Sequence, residues 1–298
     1  MNVVVTGASG LIGTALCDDL RHRGDTVIRL KRSEDAPGES LWHPTEGMID
    51  DAVIEAADAV VHLAGAGIGD KRWSAERRAA IRRSRVDSTR LIASSICRAK
   101  NPPLLVSGSA VGFYGDRGDE THSESSPPGG DHEFLVQVTT EWENATAMAQ
   151  ECDAPVAHLR TGIVMADSGG ALGKMLPPFR FGLGGKLGQG TQWFPWVSIR
   201  DEVRAILFII ENRLTGPFNV VSPGIVRQME FAKTLGKVLR RPAVIPLPRF
   251  AGRVLLGRDM ADSLLFISQR IEPARLSEAG FVFHDEELET ALRDILNR

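Results

Sequence analysis

The stretch TGASGLIG at residues 6–13 restricts the fold more than any other part of the chain. It follows the apolar run Val3-Val4-Val5 and precedes an amphipathic segment, which predicts a turn from a strand into a helix. Glycines in such a turn permit the sharp reversal, let backbone N–H groups approach a pyrophosphate and let the helix pack closely on the strand. The pattern therefore predicts a dinucleotide cradle at the helix N-terminus. The expected cradle consists of Gly7, Ser9, Gly10, Leu11, Ile12 and Gly13.

Short β-branched runs alternate with longer amphipathic segments through the first half of the chain. The runs at 3–5, 26–30, 59–63, 104–107 and 156–164 predict buried strands, and 11–22, 76–99 and 134–151 predict helices. This alternation is typical of an α/β fold with a doubly wound parallel sheet, the Rossmann architecture. We expect a dinucleotide-binding domain over residues 1–165 and a smaller C-terminal substrate lobe over 166–298. Residues of about 198–222 are expected to return to the Rossmann sheet.

The charge and the apolar stretches exclude several classes of function. A net charge of −3 over 298 residues provides no general attraction to nucleic acids or anionic membranes, so we expect neither as a partner. The longest apolar stretch, 205–210, is too short to span a bilayer, and no secretory signal precedes the first strand. These features favour a cytoplasmic protein.

The three cysteines do not indicate a metal or redox site. Cys17, Cys97 and Cys152 fall in none of the paired spacings of zinc sites or redox motifs. We therefore expect reduced cysteines and no bound metal.

The end of the second strand indicates which dinucleotide is bound. NAD sites usually carry an acidic residue here for the ribose hydroxyls, whereas NADP sites carry a cation for the 2′-phosphate. The strand ends with Lys31 and Arg32, and the first acid is Glu34. Two cations before the first acid favour NADP(H) as the cofactor. The alternative is that Lys31 and Arg32 belong to a charged loop in solvent that binds no ligand.

Several motifs resemble one known family. In order along the chain they are TGASGLIG, ADAVVHLAGAG, SRVDSTRLIASSI, VSGSAVGFYG, LRTGIVMA and FNVVSPG. They resemble landmarks of the extended short-chain dehydrogenase/reductases, the branch that contains nucleotide-sugar epimerases. The long run PFRFGLGGKLGQGTQWFPW is similar to an atypical subgroup whose members are called epimerase family proteins. The resemblance covers essentially the whole chain and implies a Rossmann domain with a small substrate lobe.

The resemblance also implies roles for individual positions. Leu63, Ala64 and Gly65 match the turn that runs beside the cofactor, and Arg85 matches a cofactor contact of the atypical subgroup. Either Ser107 or Ser109 matches the catalytic serine; Ser109 is favoured, and Ser107 is then expected beside the cofactor. Arg160 matches the nicotinamide side of the cofactor site. A homodimer through the helices that contain Glu76 and Phe134 is expected on the same ground.

The family's catalytic tyrosine and lysine are missing. They lie four residues apart, so that both face the nicotinamide and the lysine lowers the pKa of the phenol. Phe134 and Val138 are expected at those positions here, and neither can carry a proton. The single tyrosine, Tyr114, is the remaining phenol. It is a candidate catalytic residue beside Ser109, with packing against the sheet edge as the alternative.

Residues of the second lobe are candidates for binding substrate. Lys174, Arg180 and Lys186 would suit a phosphate or carboxylate, and Trp193 would supply an apolar wall, unless it belongs to the core. We therefore expect an NADP(H)-binding oxidoreductase or epimerase-like enzyme for a small, anionic molecule. The alternative is a catalytically silent NADP(H)-binding sensor or scaffold.

Overall fold

The short β-branched segments form a central sheet with helices on both faces. The computed structural model describes residues 1–32 and 37–298. Its strands are β1 (Asn2–Thr6), β2 (Thr26–Lys31), β3 (Glu39–His43), β4 (Met48–Ile49), β5 (Ala59–His62), β6 (Leu104–Ala110), β7 (Thr121–His122), β8 (Val156–Thr161), β9 (Ile163–Met165), β10 (Trp193–Phe194), β11 (Trp196–Ser198), β12 (Gly216–Val220), β13 (Val226–Arg227) and β14 (Arg270–Ile271).

The helices connect these strands and build the C-terminal lobe. They are α1 (Leu11–His22), α2 (Asp51–Glu55), α3 (Ala75–Arg98), α4 (Phe134–Asn144), α5 (Ala147–Glu151), α6 (Gly170–Arg180), α7 (Ile199–Glu211), α8 (Gln228–Leu239), α9 (Arg249–Leu256), α10 (Arg258–Leu264), α11 (Ala274–Glu278) and α12 (Leu288–Leu296). A 3₁₀ turn over Val111–Tyr114 follows β6.

The order of the strands creates a crevice for a ligand. The sheet runs β12-β8-β6-β5-β1-β2-β3-β4, and its pairings are parallel except that of β3 with β4. The strand order reverses at β1, which lies between β2 and β5. Ligands of such sheets bind at this reversal, outside the carboxyl ends of the strands. The prediction of a doubly wound, mostly parallel Rossmann sheet is confirmed.

Each face of the sheet has its own apolar core. On one face, α1 and α7 pack against the strands through buried side chains such as Leu16 and Ile206. On the other face, Ile92 and Ile96 of α3 pack against Val60 and Leu105. These two layers leave the carboxyl ends of the strands uncovered, which places the candidate site there.

The C-terminal lobe has a separate apolar cluster. Trp196, Phe231 and Leu235 lie at its centre, and α6, α8 and α12 contribute to it. The segment 170–180, which is rich in glycine and proline, forms helix α6 although Pro177 and Pro178 lie inside it. Each proline ring leaves one N–H missing, and the apolar face of α6 is buried in spite of this loss.

The expectation of three reduced cysteines is wrong for two of them. Cys97 at the end of α3 and Cys152 after α5 form a disulfide with their Cα atoms 5.4 Å apart, while Cys17 is free and buried. The two residues are 55 positions apart in sequence, so their spacing gives no sign that α3 and α5 are neighbours.

Candidate active site at the carboxyl edge of the sheet

A cavity of about 400 Å³ lies between the glycine turn and the C-terminal lobe. The first turn of α1, the end of β6, one face of α4 and the segment after β8 form its walls. Helix α10 closes it from the C-terminal side through Ser263 and Leu264. The cavity therefore joins the expected cofactor cradle to the residues expected to carry chemistry.

The glycine turn has no room for side chains. A Cβ at Gly13 would lie 2.2 Å from the carbonyl oxygen of Gly7, and a Cβ at Gly7 would lie 2.7 Å from the backbone of Leu63. Gly7 also has a φ of +65°, which side chains disfavour. The turn lets α1 point its N-terminal N–H groups at the cavity. Leu11 and Ile12 line the cavity, whereas Ser9 is exposed at the turn.

Arg85 introduces a positive charge into the cavity wall. Its guanidinium donates to the carbonyl oxygens of Ala66 (3.0 Å) and Ile81 (3.1 Å) and lies 5.0 Å from the Trp142 ring. Burial lowers the pKa of Arg85 to about 10, so the side chain stays charged at neutral pH. No carboxylate pairs with it among residues 1–32 and 37–298. Ala64 and Gly65 continue the strand end beside it, and a Cβ at Gly65 would lie 3.1 Å from the Arg85 Cζ.

Two cations pair with one carboxylate at the end of β2. Lys31 Nζ and Arg29 Nη2 each lie 2.5 Å from Glu39 Oε1, and Arg32 is exposed. Arg29 and Glu39 were missed by sequence reasoning because their pairing depends on the neighbouring strand β3. The first acid after the strand, Glu34, lies outside the described residues.

The structure separates the two candidate serines of β6. Ser107 is fully buried, away from the cavity lining. Ser109 lines the cavity, and its hydroxyl donates to Glu143 Oε1 over 2.7 Å. A Cβ at the intervening Gly108 would meet the Trp142 ring at 2.8 Å, so this glycine allows α4 to approach β6.

Glu143 and Arg160 form a buried ion pair beneath Ser109. Arg160 Nε donates to Glu143 Oε1 (2.8 Å) and Arg160 Nη2 donates to Oε2 (2.9 Å). Burial alone would raise the pKa of Glu143, but the hydrogen bond and charge of Arg160 outweigh it and hold this pKa below its usual value. Arg160 is thus engaged behind the cavity wall and does not line it. Glu143 was missed, although an acid on the otherwise apolar face of α4 was a usable signal.

Tyr114 is held away from the cavity. Its side chain is fully buried, its hydroxyl donates to Asn219 Oδ1 (2.6 Å), and it accepts from Arg160 Nη1 (2.9 Å). Burial raises the pKa of Tyr114 to about 12, in spite of the nearby guanidinium. This placement gives no support to Tyr114 as the proton donor, and the packing alternative agrees with it.

The cavity face of α4 is shifted by one residue from the expected register. Phe134 packs on Trp73, with ring centroids 5.0 Å apart, instead of lining the cavity. The pair four residues apart that lines it is Leu135 and Thr139, together with Val138. The Thr139 hydroxyl donates to the carbonyl oxygen of Leu135 over 2.7 Å. The conclusion that no phenol or ammonium occupies this face still holds.

Comparisons with known proteins agree with this arrangement. The family described as the NAD dependent epimerase/dehydratase family matches residues 3–222, and a domain of unknown function (DUF1731) matches residues 247–295. An epimerase family protein of Mycobacterium leprae is 39% identical over 292 residues, which are 97% of this chain and 94% of that protein. This chain belongs to the NAD-dependent epimerase/dehydratase family.

Two solved structures of similar proteins extend the comparison. The human epimerase family protein SDR39U1, crystallised with NADPH, has a TM-score of 0.91 and 35% sequence identity, with 100% of both chains covered. A protein of Corynebacterium glutamicum described as a nucleoside-diphosphate sugar epimerase has a TM-score of 0.79 and 34% identity over 99% of this chain and 58% of that one. The family resemblance expected from the motifs is confirmed.

A second hydroxyl–carboxyl pair lies at the end of β8 in this member of the family. Thr161 lines the cavity and donates to Glu202 Oε1 on α7 over 2.8 Å. Glu202 is fully buried, its Oε2 has no partner among the described residues, and burial raises its pKa to about 8. Sequence reasoning missed both residues because Glu202 lies in the first turn of an ordinary amphipathic helix.

The four residues expected to bind substrate lie outside this cavity lining. Lys174 donates to the carbonyl oxygen of Gly69 (2.8 Å), and Arg180 and Lys186 are exposed. Trp193 donates from Nε1 to Asp119 (2.9 Å) and contacts Arg227, whose Cζ is 4.1 Å from the ring. Next to them, the loop 187–192 forms a second cleft of about 660 Å³ with Asp119, Arg227, Arg249 and Phe266.

Groups suited to a metal ion or a membrane are not found in the described chain. Residues 1–32 and 37–298 contain no cluster of three His, Cys, Asp or Glu side chains with metal-binding geometry. Within the same residues, no helix is long and apolar enough to cross a bilayer.

Proposed function

We propose that this chain binds NADP(H) in the 400 Å³ cavity and transfers hydride between it and a small, anionic substrate. The observation that supports this proposal most strongly is that the glycine turn, the charged Arg85 and the hydroxyl of Ser109 line one cavity. A cradle without a reactive group would suit a silent sensor. Here a hydroxyl and the ion pair behind it lie next to the cradle, which favours an enzyme.

The residues at the cradle fit a phosphorylated dinucleotide. The missing side chains at Gly7 and Gly13 leave backbone N–H groups open to a pyrophosphate, and Arg85 supplies a positive charge without a carboxylate partner in the described chain. At the end of β2, Arg32 is an exposed cation next to Lys31, which suits a 2′-phosphate. The human relative crystallised with NADPH supports the same cofactor.

The remaining wall excludes water and orients the reacting groups. NADP(H), when bound, supplies or accepts a hydride at its nicotinamide. In the cavity wall, Leu135, Val138 and Ile267 would provide apolar surface for the cofactor and substrate, and Ser109 would provide a hydroxyl. The anionic part of the substrate would lie in the second cleft near Trp193, which Arg227, paired with Asp119, and Arg249 line.

Binding of the two cofactors tests the proposal. Titration of the protein with NADPH and NADH, followed by calorimetry, should give tighter binding of NADPH. Gly13→Ala should abolish binding of both, because the new Cβ would clash with Gly7. Arg32→Ala should reduce the preference for NADPH, whereas Arg298→Ala, an exposed control at the C-terminus, should leave it unchanged. Equal or tighter binding of NADH contradicts the cofactor assignment.

Turnover tests the catalytic part separately. NADPH oxidation with a panel of small carbonyl compounds should be detectable, and Ser109→Ala should reduce it. Tyr114→Phe should retain it, because Tyr114 does not line the cavity. Tight NADPH binding without turnover on any compound favours the silent sensor.

A further inference from the structure

The Ser109 hydroxyl has a single proton, and Glu143 accepts it. The Oγ–Oε1 distance of 2.7 Å is that of a strong hydrogen bond to a carboxylate. A serine hydroxyl has one O–H donor and two acceptor lone pairs. With the donor directed at Glu143, only the lone pairs remain for a ligand in the cavity.

Glu143 is fixed as an acceptor by its surroundings. Arg160 holds both carboxylate oxygens through two hydrogen bonds, so the carboxylate cannot rotate away from Ser109 without breaking them. Arg160 is itself held, with its Cζ 3.6 Å from the centre of the Phe113 ring and its Nη1 on the Tyr114 hydroxyl. The orientation of the Ser109 proton is therefore built into the buried side of the cavity wall.

We infer that Ser109 acts as a hydrogen-bond acceptor towards the cavity, and that the site recognises a ligand group that donates an O–H or N–H. This inference rests on the proposed function and specifies its substrate: of the two forms that hydride transfer interconverts, the alcohol is bound more tightly beside Ser109 than the carbonyl compound. Glu143 is then a positioning residue, because it acts on the ligand only through Ser109.

Other polar side chains of the cavity wall have also used their hydrogen-bond donors within the protein. The Thr139 hydroxyl is also committed to a backbone carbonyl, that of Leu135, and leaves only lone pairs. Gln269, which lines the cavity from the C-terminal side, donates its amide to the carbonyl oxygens of Val111 (2.7 Å) and Gly115 (3.2 Å). Ser109, Thr139 and Gln269 thus have only acceptor atoms left for a ligand in the cavity.

Neutron diffraction of the perdeuterated protein tests the polarity directly. The expected result is a deuteron on Ser109 Oγ pointing at Glu143 Oε1, with no deuteron on the carboxylate. A Ser109 deuteron that points into the cavity, or a protonated Glu143, overturns the inference. This readout is independent of turnover, so it stands apart from a failure of the proposed function.

A matched pair of probes tests recognition. Cyclohexanol and cyclohexanone differ in donor capacity at one oxygen, and their binding can be compared by ligand-observed NMR with NADP⁺ present. Wild type should prefer the alcohol by about fivefold, the effect of one hydrogen bond. Ser109→Ala should remove the preference while the Glu143–Arg160 pair stays intact.

Glu143→Gln serves as the variant that weakens this polarity. Arg160 donates to both oxygens of the carboxyl group, so the amide nitrogen must face one of these N–H groups, and the Ser109 proton is no longer held by a carboxylate. The preference for the alcohol should therefore fall. Equal binding of the two probes by wild type, or a preference for the ketone, overturns the inference. Loss of NADPH binding by wild type would instead contradict the proposed function, and the two failures are therefore distinguishable.

Discussion

Two hydroxyl–carboxyl pairs at the same cavity differ in their charge. Ser109 donates to Glu143 on one face of the sheet, and Thr161 donates to Glu202 on the other. Both carboxyl groups are largely or fully buried. Arg160 keeps the pKa of Glu143 below its usual value, whereas burial without a cation raises the pKa of Glu202 to about 8.

The difference shows that the charge of a buried carboxyl group depends on its neighbours more than on its burial. One guanidinium with two hydrogen bonds keeps Glu143 ionised. Among the described residues, Glu202 has one hydroxyl partner and no cation beside it, so it is a neutral acid at pH 7. Catalytic acid–base sites typically contain two titratable groups whose environments push their pKa values apart.

Removal of the cation should have the largest effect. Arg160→Met leaves Glu143 buried without a cationic partner, and we expect a loss of about 3–5 kcal/mol in the free energy of unfolding. Urea denaturation at pH 7 measures it. Arg160→Met should also raise the pKa of Glu143, so that the pKa of this carboxyl group is shifted in the same direction as that of Glu202.

A double variant is the control for that loss. Glu143→Leu combined with Arg160→Met removes both charges, so most of the lost stability should return. A single variant within about 1 kcal/mol of wild type, or a double variant as unstable as the single one, contradicts the assigned role of the ion pair.

The second prediction concerns the dependence of stability on pH. Between the unfolded pKa of a glutamate, roughly 4.3, and the folded value of about 8, the native state binds one proton more than the unfolded state at Glu202. The free energy of unfolding therefore falls as pH rises through this window. We expect a contribution from Glu202 of roughly 2–4 kcal/mol between pH 5 and 9.

Glu202→Gln isolates this contribution. The amide is always neutral, so the variant should match wild type near pH 5 and exceed its stability at pH 9. Glu211→Gln changes an exposed residue of the same helix and should leave the pH profile unchanged. Parallel profiles for wild type and Glu202→Gln are the result that counts against a neutral Glu202.

The smallest expected effect comes from the hydroxyl of the second pair. Thr161→Val removes the hydrogen bond to Glu202 and should cost about 1 kcal/mol of stability at pH 7. That bond lowers the pKa of Glu202 against the effect of burial, so its loss should move the pH-dependent window upward. Thr161→Ser retains the hydroxyl and should unfold thermally like wild type across pH 5–9. A difference between Thr161→Ser and wild type would count against the hydrogen bond from this hydroxyl to Glu202.

Much of the fold was predictable from local patterns. The short β-branched runs and the amphipathic segments predicted β1, β2, β5, β6 and α1, because these elements bury one face or both faces in the sheet layers. The short strand β3 lacked such a signal. The helix predicted over 134–151 is divided between α4 and α5, which carry separate contacts.

Only the part of the site that is formed by backbone groups could be predicted from the sequence. The glycine cradle follows from positions that exclude a Cβ, and these positions are visible in the sequence. The partners Glu143 and Glu202 come from helices far from Ser109 and Thr161 along the chain. No local pattern encodes such contacts. For the same reason the sequence leaves Tyr114 a candidate for catalysis, whereas its side chain is buried away from the cavity lining.

Infrared spectroscopy tests the central claim, that the two carboxyl groups differ in protonation at neutral pH. A protonated carboxylic acid has a C=O stretch that an ionised carboxylate lacks. Wild type should show such a band at pH 7, and it should disappear with a midpoint near pH 8. Glu202→Gln should lack the band, and Glu143→Gln should keep it. A band that is absent from wild type at pH 7, or that Glu143→Gln removes, contradicts the claim.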